Sequence, residues 1–185
     1  ATLDLALFGP GGRRYAGRSL PVTCPANAAA RLGDISHALA AIDDELFFLD
    51  LCLTAAGGQA LSRNRYLFVR GESLAPLLSA PAARLEARVA PAPPGSEVDP
   101  AGAEPGDVRD WLVTVRNTGA TAALMVWLED ARDVHAGGHA AIAENYFCLL
   151  PGEARQVQVI WQGVAPEDRR LEVAGWNTQV LELCL

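Results

Sequence analysis

Two histidines are the first side chains in this sequence whose type and spacing could carry chemistry. His135 and His139 lie four residues apart in the segment HAGGH. Two imidazoles at that spacing can bind one metal ion when a helix brings them to the same face, but the two glycines between them oppose a helix. No third ligand is evident, so we predict no metal site, and the lone His37 is expected to be solvated near a turn.

Other arrangements that support catalysis are also missing from the sequence. It contains no nucleotide-binding glycine loop, no nucleophile elbow and no cysteine–histidine pairing with supporting context. The consecutive acids Asp43, Asp44 and Glu45 are expected to be solvated at the start of a strand. We therefore predict no catalytic residue and no cofactor-binding residue.

The four tryptophans are the remaining candidates for recognition, and strand periodicity divides them into two pairs. Trp111 and Trp161 each share a strand face with valines, so both are expected in the core. Trp127 and Trp176 instead share their faces with glutamates. They are expected to be partly buried under a loop or, alternatively, to contact another domain or a sugar ring, because indole combines a large apolar area with a polar edge.

The elements that must position these side chains follow the pattern of β-strands. Between Trp111 and Pro166, three strand-like segments are separated by turn signals at Asn117–Gly119 and at Pro151-Gly152. Asn and Gly readily adopt positive φ values, which allows the chain to reverse between pairing strands. The pattern is typical of an antiparallel β-sandwich.

The first half of the chain has the same organisation. Thr2–Phe8 alternates with period two, and extended segments are predicted around Arg18–Cys24 and Ala28–Ile35. Glu45–Thr54 is apolar on both faces, which predicts a central strand covered from both sides. A short Gly-rich turn leads to Gln59–Arg70, which is expected to pair directly with it.

Two units are predicted, with a joint at Gly71–Pro81, where prolines occur and the alternation weakens. We expect one β-sandwich over residues 1–72, a linker over 73–81 and a second β-sandwich over 82–185. The second unit is expected to open with a strand at Ala82–Ala90.

The segment that follows, Pro91–Gly106, is rich in proline and glycine. This composition predicts an exposed loop between the first two strands of the second unit.

Composition narrows the classes of function. Hydrophobic residues make up 50% of the 185 residues, so a substantial core can form. The net charge of −7 argues against nucleic-acid and anionic-membrane partners, since both need a basic surface. No apolar run approaches the roughly 20 residues that span a bilayer.

The setting is expected to be the bacterial cytoplasm. Ala1–Phe8 alternates and has no basic leader, unlike a signal peptide, and its position inside a predicted strand suggests a piece of a longer chain. Cys24, Cys52, Cys148 and Cys184 could form two disulfides, but Cys52 lies in an apolar strand. Their wide spacing without a CxxC pair favours reduced thiols.

Several sequence blocks carry a resemblance to a known family. Glu45–Val69, ELFFLDLCLTAAGGQALSRNRYLFV, resembles the immunoglobulin-like domain that follows the catalytic barrel in β-mannosidase-type enzymes of glycoside hydrolase family 2. The second unit resembles the terminal immunoglobulin-fold domain of that family, through VTVRNTGATAALMVWLEDAR, ENYFCLLPGEARQVQVIW and LEVAGWNT. The resemblance implies an all-β protein of two tandem immunoglobulin-like antiparallel β-sandwich domains.

The resemblance also implies a role. It suggests the non-catalytic C-terminal accessory region of a retaining exo-β-glycosidase, whose two catalytic glutamates lie about 5 Å apart on a (β/α)8 barrel. The acid/base of the family lies in an Asn-Glu pair, and this chain contains no Asn-Glu dipeptide. We therefore expect an inactive region that braces the barrel, with the barrel and the N-terminal domains of the same parent chain as partners.

A carbohydrate-binding module that acts through exposed aromatic side chains is the alternative. Such a module needs two or three exposed, roughly coplanar rings, and Trp127 and Trp176 are the candidates. Saturable heat on titration with mannan, chitosan or cello-oligosaccharides would favour the module over the accessory role.

Overall fold

The computed structural model describes residues 1–93 and 110–184. The predicted all-β, antiparallel fold is confirmed, since the strands form three antiparallel sheets and the helices are few and short. The chain divides into two compact units, residues 1–80 and 81–185. Within the described ranges, no helix is long and apolar enough to cross a membrane.

Unit 1 is built on one four-stranded sheet, so its described strands do not form the two sheets of the β-sandwich expected over residues 1–72. Its elements are β1 (Thr2–Phe8), β2 (Arg14–Pro21), α1 (Ser36–Ala40), β3 (Leu46–Thr54), β4 (Ala60–Val69) and α2 (Ala75–Leu78). The strand order is β2-β1-β3-β4, so β3 is central and pairs directly with β4, as predicted. The first five residues of β3 are buried; four of them are apolar, and the fifth, Asp50, forms an ion pair with Arg65 on β4.

One cluster of buried residues in unit 1 lies on a single face of this sheet. Leu7 and Leu49 pack there with Ile42, and residues of α1 cover them. The strand predicted at Ala28–Ile35 is wrong, because these residues form no strand and α1 follows them. The segment is rich in alanine, a residue that is depleted in strands.

Unit 2 is a sandwich of two four-stranded sheets. Its strands are β5 (Leu85–Pro91), β6 (Asp110–Asn117), β7 (Ala123–Asp130), β8 (His139–Ile142), β9 (Phe147–Leu149), β10 (Ala154–Gln162), β11 (Arg170–Ala174) and β12 (Leu181–Cys184). One sheet has the order β5-β6-β10-β8 and the other the order β12-β11-β7-β9. Inward-facing valines and leucines of both sheets form the core with Trp161. Most of the loop predicted at Pro91–Gly106 lies outside the described residues.

The two turn signals of unit 2 connect the sheets instead of closing hairpins. Asn117–Gly119 leads from β6 to β7, and Pro151-Gly152 leads from β9 to β10, which in each case lie in different sheets. The predicted positive φ occurs at Gly152, with φ 81°, but not in Asn117–Gly119. A sandwich often joins its sheets by such crossovers, so turn chemistry alone did not identify the pairing partners.

Asn117 ties both crossovers together. Its side chain is fully buried, and Nδ2 donates to the carbonyl of Thr121 at 2.8 Å and to that of Leu149 at 2.9 Å. Its Oδ1 accepts the N–H of Gly119 at 2.9 Å. One side chain thus satisfies three backbone groups that the turns leave without strand partners.

Candidate interaction surface on unit 2

A bulge in β7 determines which side chains of this strand face outward. The pairing of β7 with β9 is irregular between Ala123 and Val126, and Met125 adopts φ 46°, which is uncommon for a residue other than glycine. The N–H of Met125 is directed to Sγ of Cys148 at 3.4 Å. Beyond the bulge, Val126 and Leu128 are buried, and the residues that alternate with them face away from the core.

Two asparagines outside β7 hold the strand in place. Asn145 accepts the N–H of Leu128 at 2.7 Å and donates to its carbonyl at 2.9 Å, as a neighbouring strand would. Asn177 accepts the N–H of Leu124 at 3.0 Å and donates to the carbonyl of Ala122 at 2.9 Å. These side chains satisfy backbone groups around the bulge, so the outward direction of Trp127 is well defined.

The outer face of the second sheet carries a row of three glutamates. Glu172 on β11 is directly opposite Glu129 on β7 and also directly opposite Glu182 on β12. Glu129 and Glu182 are exposed, and Glu172 is half-buried between them. Trp127 lies in the next row, opposite the small side chain of Ala174. We call Trp127, Glu129, Glu172 and Glu182 the Trp–Glu face.

The four tryptophans occupy distinct environments. Trp161 is fully buried, and Trp111 is half-buried against the same core. Trp127 is half-buried on the Trp–Glu face. Because β11 ends at Ala174, Trp176 lies in the turn that follows, and 52% of its surface is exposed. The backbone N–H of Trp176 donates to the carbonyl of Leu124 at 2.8 Å, and this hydrogen bond holds the backbone of the turn against β7.

An ion pair closes the far end of β7. Asp130 accepts two hydrogen bonds from Arg132, at 2.9 and 2.7 Å, and Arg132 also donates to the carbonyl of Gly137 at 2.8 Å. The guanidinium carbon of Arg132 lies 5.4 Å from the ring centroid of Trp161. Burial works to raise the pKa of Asp130, but the hydrogen bonds from Arg132 outweigh it and hold that pKa below its ordinary value.

One of the two glycines in the HAGGH segment serves backbone packing. Gly138 adopts φ 73°, and a Cβ atom there would lie 2.5 Å from the carbonyl oxygens of Gln162 and Gly163. His135 and His139 are both exposed on either side of this contact. In the two described ranges, no group of three or more His, Cys, Asp or Glu side chains is arranged to hold a metal ion.

A cavity of about 600 Å³ lies beside this segment. Its charged lining consists of Arg132, Asp133, Asp168 and Arg170. The two arginines and the two aspartates balance in charge, so the lining does not single out an anion or a cation. No sequence pattern predicts this cavity, because its walls come from two segments that are distant along the chain.

Comparison with known proteins identifies the family of this sandwich. The profile of the exo-beta-D-glucosaminidase Ig-fold domain matches residues 75–178. No curated protein matches the chain by sequence. The resemblance to an immunoglobulin-like glycosidase domain is thus confirmed, whereas the family that matches is named for glucosaminidases and not for β-mannosidases.

Solved structures show the same fold. The exo-chitosanase CsxA of Amycolatopsis orientalis superposes with a TM-score of 0.63 at 17% identity, over 100% of this chain and 23% of that chain. The inhibitor complex of the exo-beta-D-glucosaminidase CsxA superposes with a TM-score of 0.63 at 16% identity, over 100% of this chain and 23% of that chain. A complex of CsxA with PNP-beta-D-glucosamine has a TM-score of 0.61 at 18% identity, and it also covers 100% of this chain and 23% of that chain.

This chain therefore spans about a quarter of the length of the solved relatives it matches. At these identities the superposition establishes the fold alone. The family follows from the profile, which matches more than half of the chain. This protein belongs to the exo-beta-D-glucosaminidase Ig-fold domain family.

Proposed function

We propose that this chain is the non-catalytic C-terminal accessory region of a glycoside hydrolase family 2 exo-β-glycosidase. The family match over residues 75–178 is the observation that carries this proposal. The length relation supports it, because the chain corresponds to 23% of a relative described as an exo-chitosanase. The parent enzyme would remove terminal β-linked glucosamine residues.

The β-mannosidase type, to which the sequence blocks pointed, is the alternative specificity of the parent. The matched family favours glucosamine through its name. Neither specificity is expected to reside in this chain, because sugar specificity in such enzymes is set on the catalytic barrel.

The chain itself is proposed to be inactive. A retaining glycosidase needs two carboxyl groups about 5–5.5 Å apart that flank the bond to be cleaved. Glu129 and Glu172 are neighbours across two strands, but they stand on the outer face of a sheet where Glu129 is exposed. A reaction that proceeds through a developing positive charge requires an enclosed, preorganised site.

The proposed role is mechanical. The sandwich would brace the catalytic barrel, and Trp127 and Trp176 would mark the surface that docks against neighbouring domains. The half-exposed indole of Trp176 supports this, since tryptophan is enriched at the centres of protein interfaces.

Hydrolysis of two aryl glycosides tests the proposal. The complete parent polypeptide is expected to cleave an aryl β-glucosaminide faster than an aryl β-mannoside, and the purified chain is expected to cleave neither. Faster cleavage of the mannoside would transfer the parent to the β-mannosidase type. Measurable turnover by the purified chain would overturn the accessory role.

Carbohydrate binding is the second candidate function, and the exposed ring of Trp176 is the observation that favours it. Calorimetric titration of the chain with glucosamine oligomers is the direct measurement. Saturable heat that is lost on Trp176→Ala would establish a sugar-binding surface.

A further inference from the structure

The glutamate row on the Trp–Glu face is unfavourable for unit 2 by itself. Residues directly opposite on antiparallel strands have Cβ atoms about 4.5–5.5 Å apart, and like charges at that separation destabilise a sheet. Glu172 faces a like charge on both sides. Among the described residues, no ion pair includes Glu129, Glu172 or Glu182.

Elsewhere the same chain places acids opposite bases. Asp50 on β3 is directly opposite Arg65 on β4, and the two form an ion pair. Glu86 on β5 is directly opposite Arg116 on β6. The glutamate row departs from this arrangement, so its charge is not explained by the pairing that stabilises the other strands.

Neighbouring cations do not neutralise the row. Arg132 is engaged by Asp130 through two hydrogen bonds. Arg170 lies in the adjacent row, opposite Cys184, and a single guanidinium leaves three carboxylates with a net negative charge.

The chemistry of the face defines the surface that would complement it. Carboxylates form their strongest hydrogen bonds with guanidinium and ammonium groups, and indole faces attract the same cations. An apolar partner would bury the carboxylates without partners, which is costly, and an acidic partner would repel them. Neighbouring strands lie about 4.8 Å apart, so the three glutamates span about 10 Å across the sheet.

We propose that the Trp–Glu face docks against an arginine- or lysine-bearing surface of a neighbouring domain of the parent polypeptide. The inference rests on the proposed accessory role, in which most of the parent chain lies outside this region, as it does in the relative of which only 23% is matched. Trp127 supplies the apolar contact beside Ala174, and the three glutamates supply the charge.

Glu172→Gln, measured in two contexts, tests the proposal. In the purified chain the substitution removes repulsion on both sides, so it is expected to raise Tm by about 1–3 °C. In the complete parent protein it removes a carboxylate that pairs with the partner surface, so Tm is expected to fall and proteolytic release of the region to become faster. Raised salt is expected to reduce the difference in the parent protein.

Glu86→Gln is the matched control, because it removes the same charge from a glutamate that has a cation opposite. It is expected to lower Tm slightly in both contexts. Stabilisation by Glu172→Gln in both contexts would overturn the inference. Saturable binding of a glucosamine tetramer by the chain, lost in Glu172→Gln, would also overturn it by assigning the face to a sugar.

The inference and the proposed function fail separately. The absence of glycosidase activity in the parent protein would contradict the proposed function. An active parent in which Glu172→Gln changes Tm as it does in the isolated chain would remove the docking inference alone.

Discussion

At the residue scale, the buried side chain of Asn117 bonds to both crossovers of unit 2. Its amide makes three hydrogen bonds to backbone groups in the two crossovers that join the sheets. Leucine or valine would fill the same space without satisfying those groups. The buried amide therefore fixes how the two sheets are connected, and its value lies in geometry rather than in hydrophobic burial.

Asn117→Ala is expected to lower the free energy of unfolding of unit 2 by about 3 kcal/mol or more, because each backbone group left unsatisfied in a buried position costs about 1–3 kcal/mol. All four tryptophans lie in unit 2, so denaturant titration followed by tryptophan fluorescence reports on this unit. Gln179→Ala is the control, since Gln179 is an exposed amide side chain in the same unit. Equal losses in the two variants would contradict the role of Asn117.

The ion pair of Asp130 and Arg132 predicts a pH dependence. The folded-state pKa of Asp130 lies below its unfolded value, which is about 3.9. The pair therefore stabilises the fold above that unfolded value, and this contribution is lost as the pH falls through the folded pKa. Asp130→Asn is expected to lower Tm at pH 7 and to differ less from the original chain near pH 3. A constant difference in Tm between pH 7 and pH 3 would show that the charge of Asp130 does not stabilise the fold.

At the element scale, the bulge in β7 and the short loop before β8 decide what faces outward. Met125 and Gly138 both adopt positive φ values, and each occurs where the backbone departs from a regular ladder. The bulge re-aims β7 so that Trp127 and Glu129 point away from the core. The loop brings its backbone against the end of β10.

Gly138→Ala tests the interpretation of HAGGH as a packing segment. A methyl group there would meet two backbone carbonyls at 2.5 Å, in a conformation that alanine disfavours. We expect a loss of about 1–3 kcal/mol in the free energy of unfolding. Gly137→Ala is the matched control, because its Cβ would meet nothing within 4 Å, and it is expected to be nearly neutral. A larger effect at Gly137 would contradict the packing role.

At the scale of the whole molecule, the proposed accessory role ties the region to the other domains of the parent protein. Its sandwich buries a large apolar core and leaves a negatively charged face on one side. A buried interface that includes this face would couple the stability of the region to the rest of the parent protein. Removing the region is therefore expected to lower the thermal stability of the parent enzyme more than its affinity for substrate.

That expectation is checked by comparing Tm and KM of the parent protein with and without residues 81–185. A fall in Tm with KM within about twofold supports a bracing role, since binding contacts to the sugar would lie elsewhere. A large rise in KM with Tm unchanged would instead place residues of this region in the substrate site.

Local sequence patterns were enough to predict several strands and the burial of several side chains. The alternation of apolar and polar residues located β1, and the apolar run located β3. Strand periodicity also separated the buried Trp161 from the outward-facing Trp127. These features are local, because side-chain direction follows from strand periodicity alone. The sequence blocks around Asn145 and Gly152 also identified an immunoglobulin-like glycosidase domain, as the family match confirmed.

In unit 2, by contrast, tertiary packing selects which strands pair and therefore which side chains meet. Strand periodicity placed Glu129 and Glu172 on polar faces of their strands. It could not show that the two residues lie directly opposite each other, with Glu182 in the same row. It also could not show that the turn after Asn117 crosses between sheets. Pairing partners are distant along the chain, and they are selected by the packing of two sheets on one core rather than by local sequence.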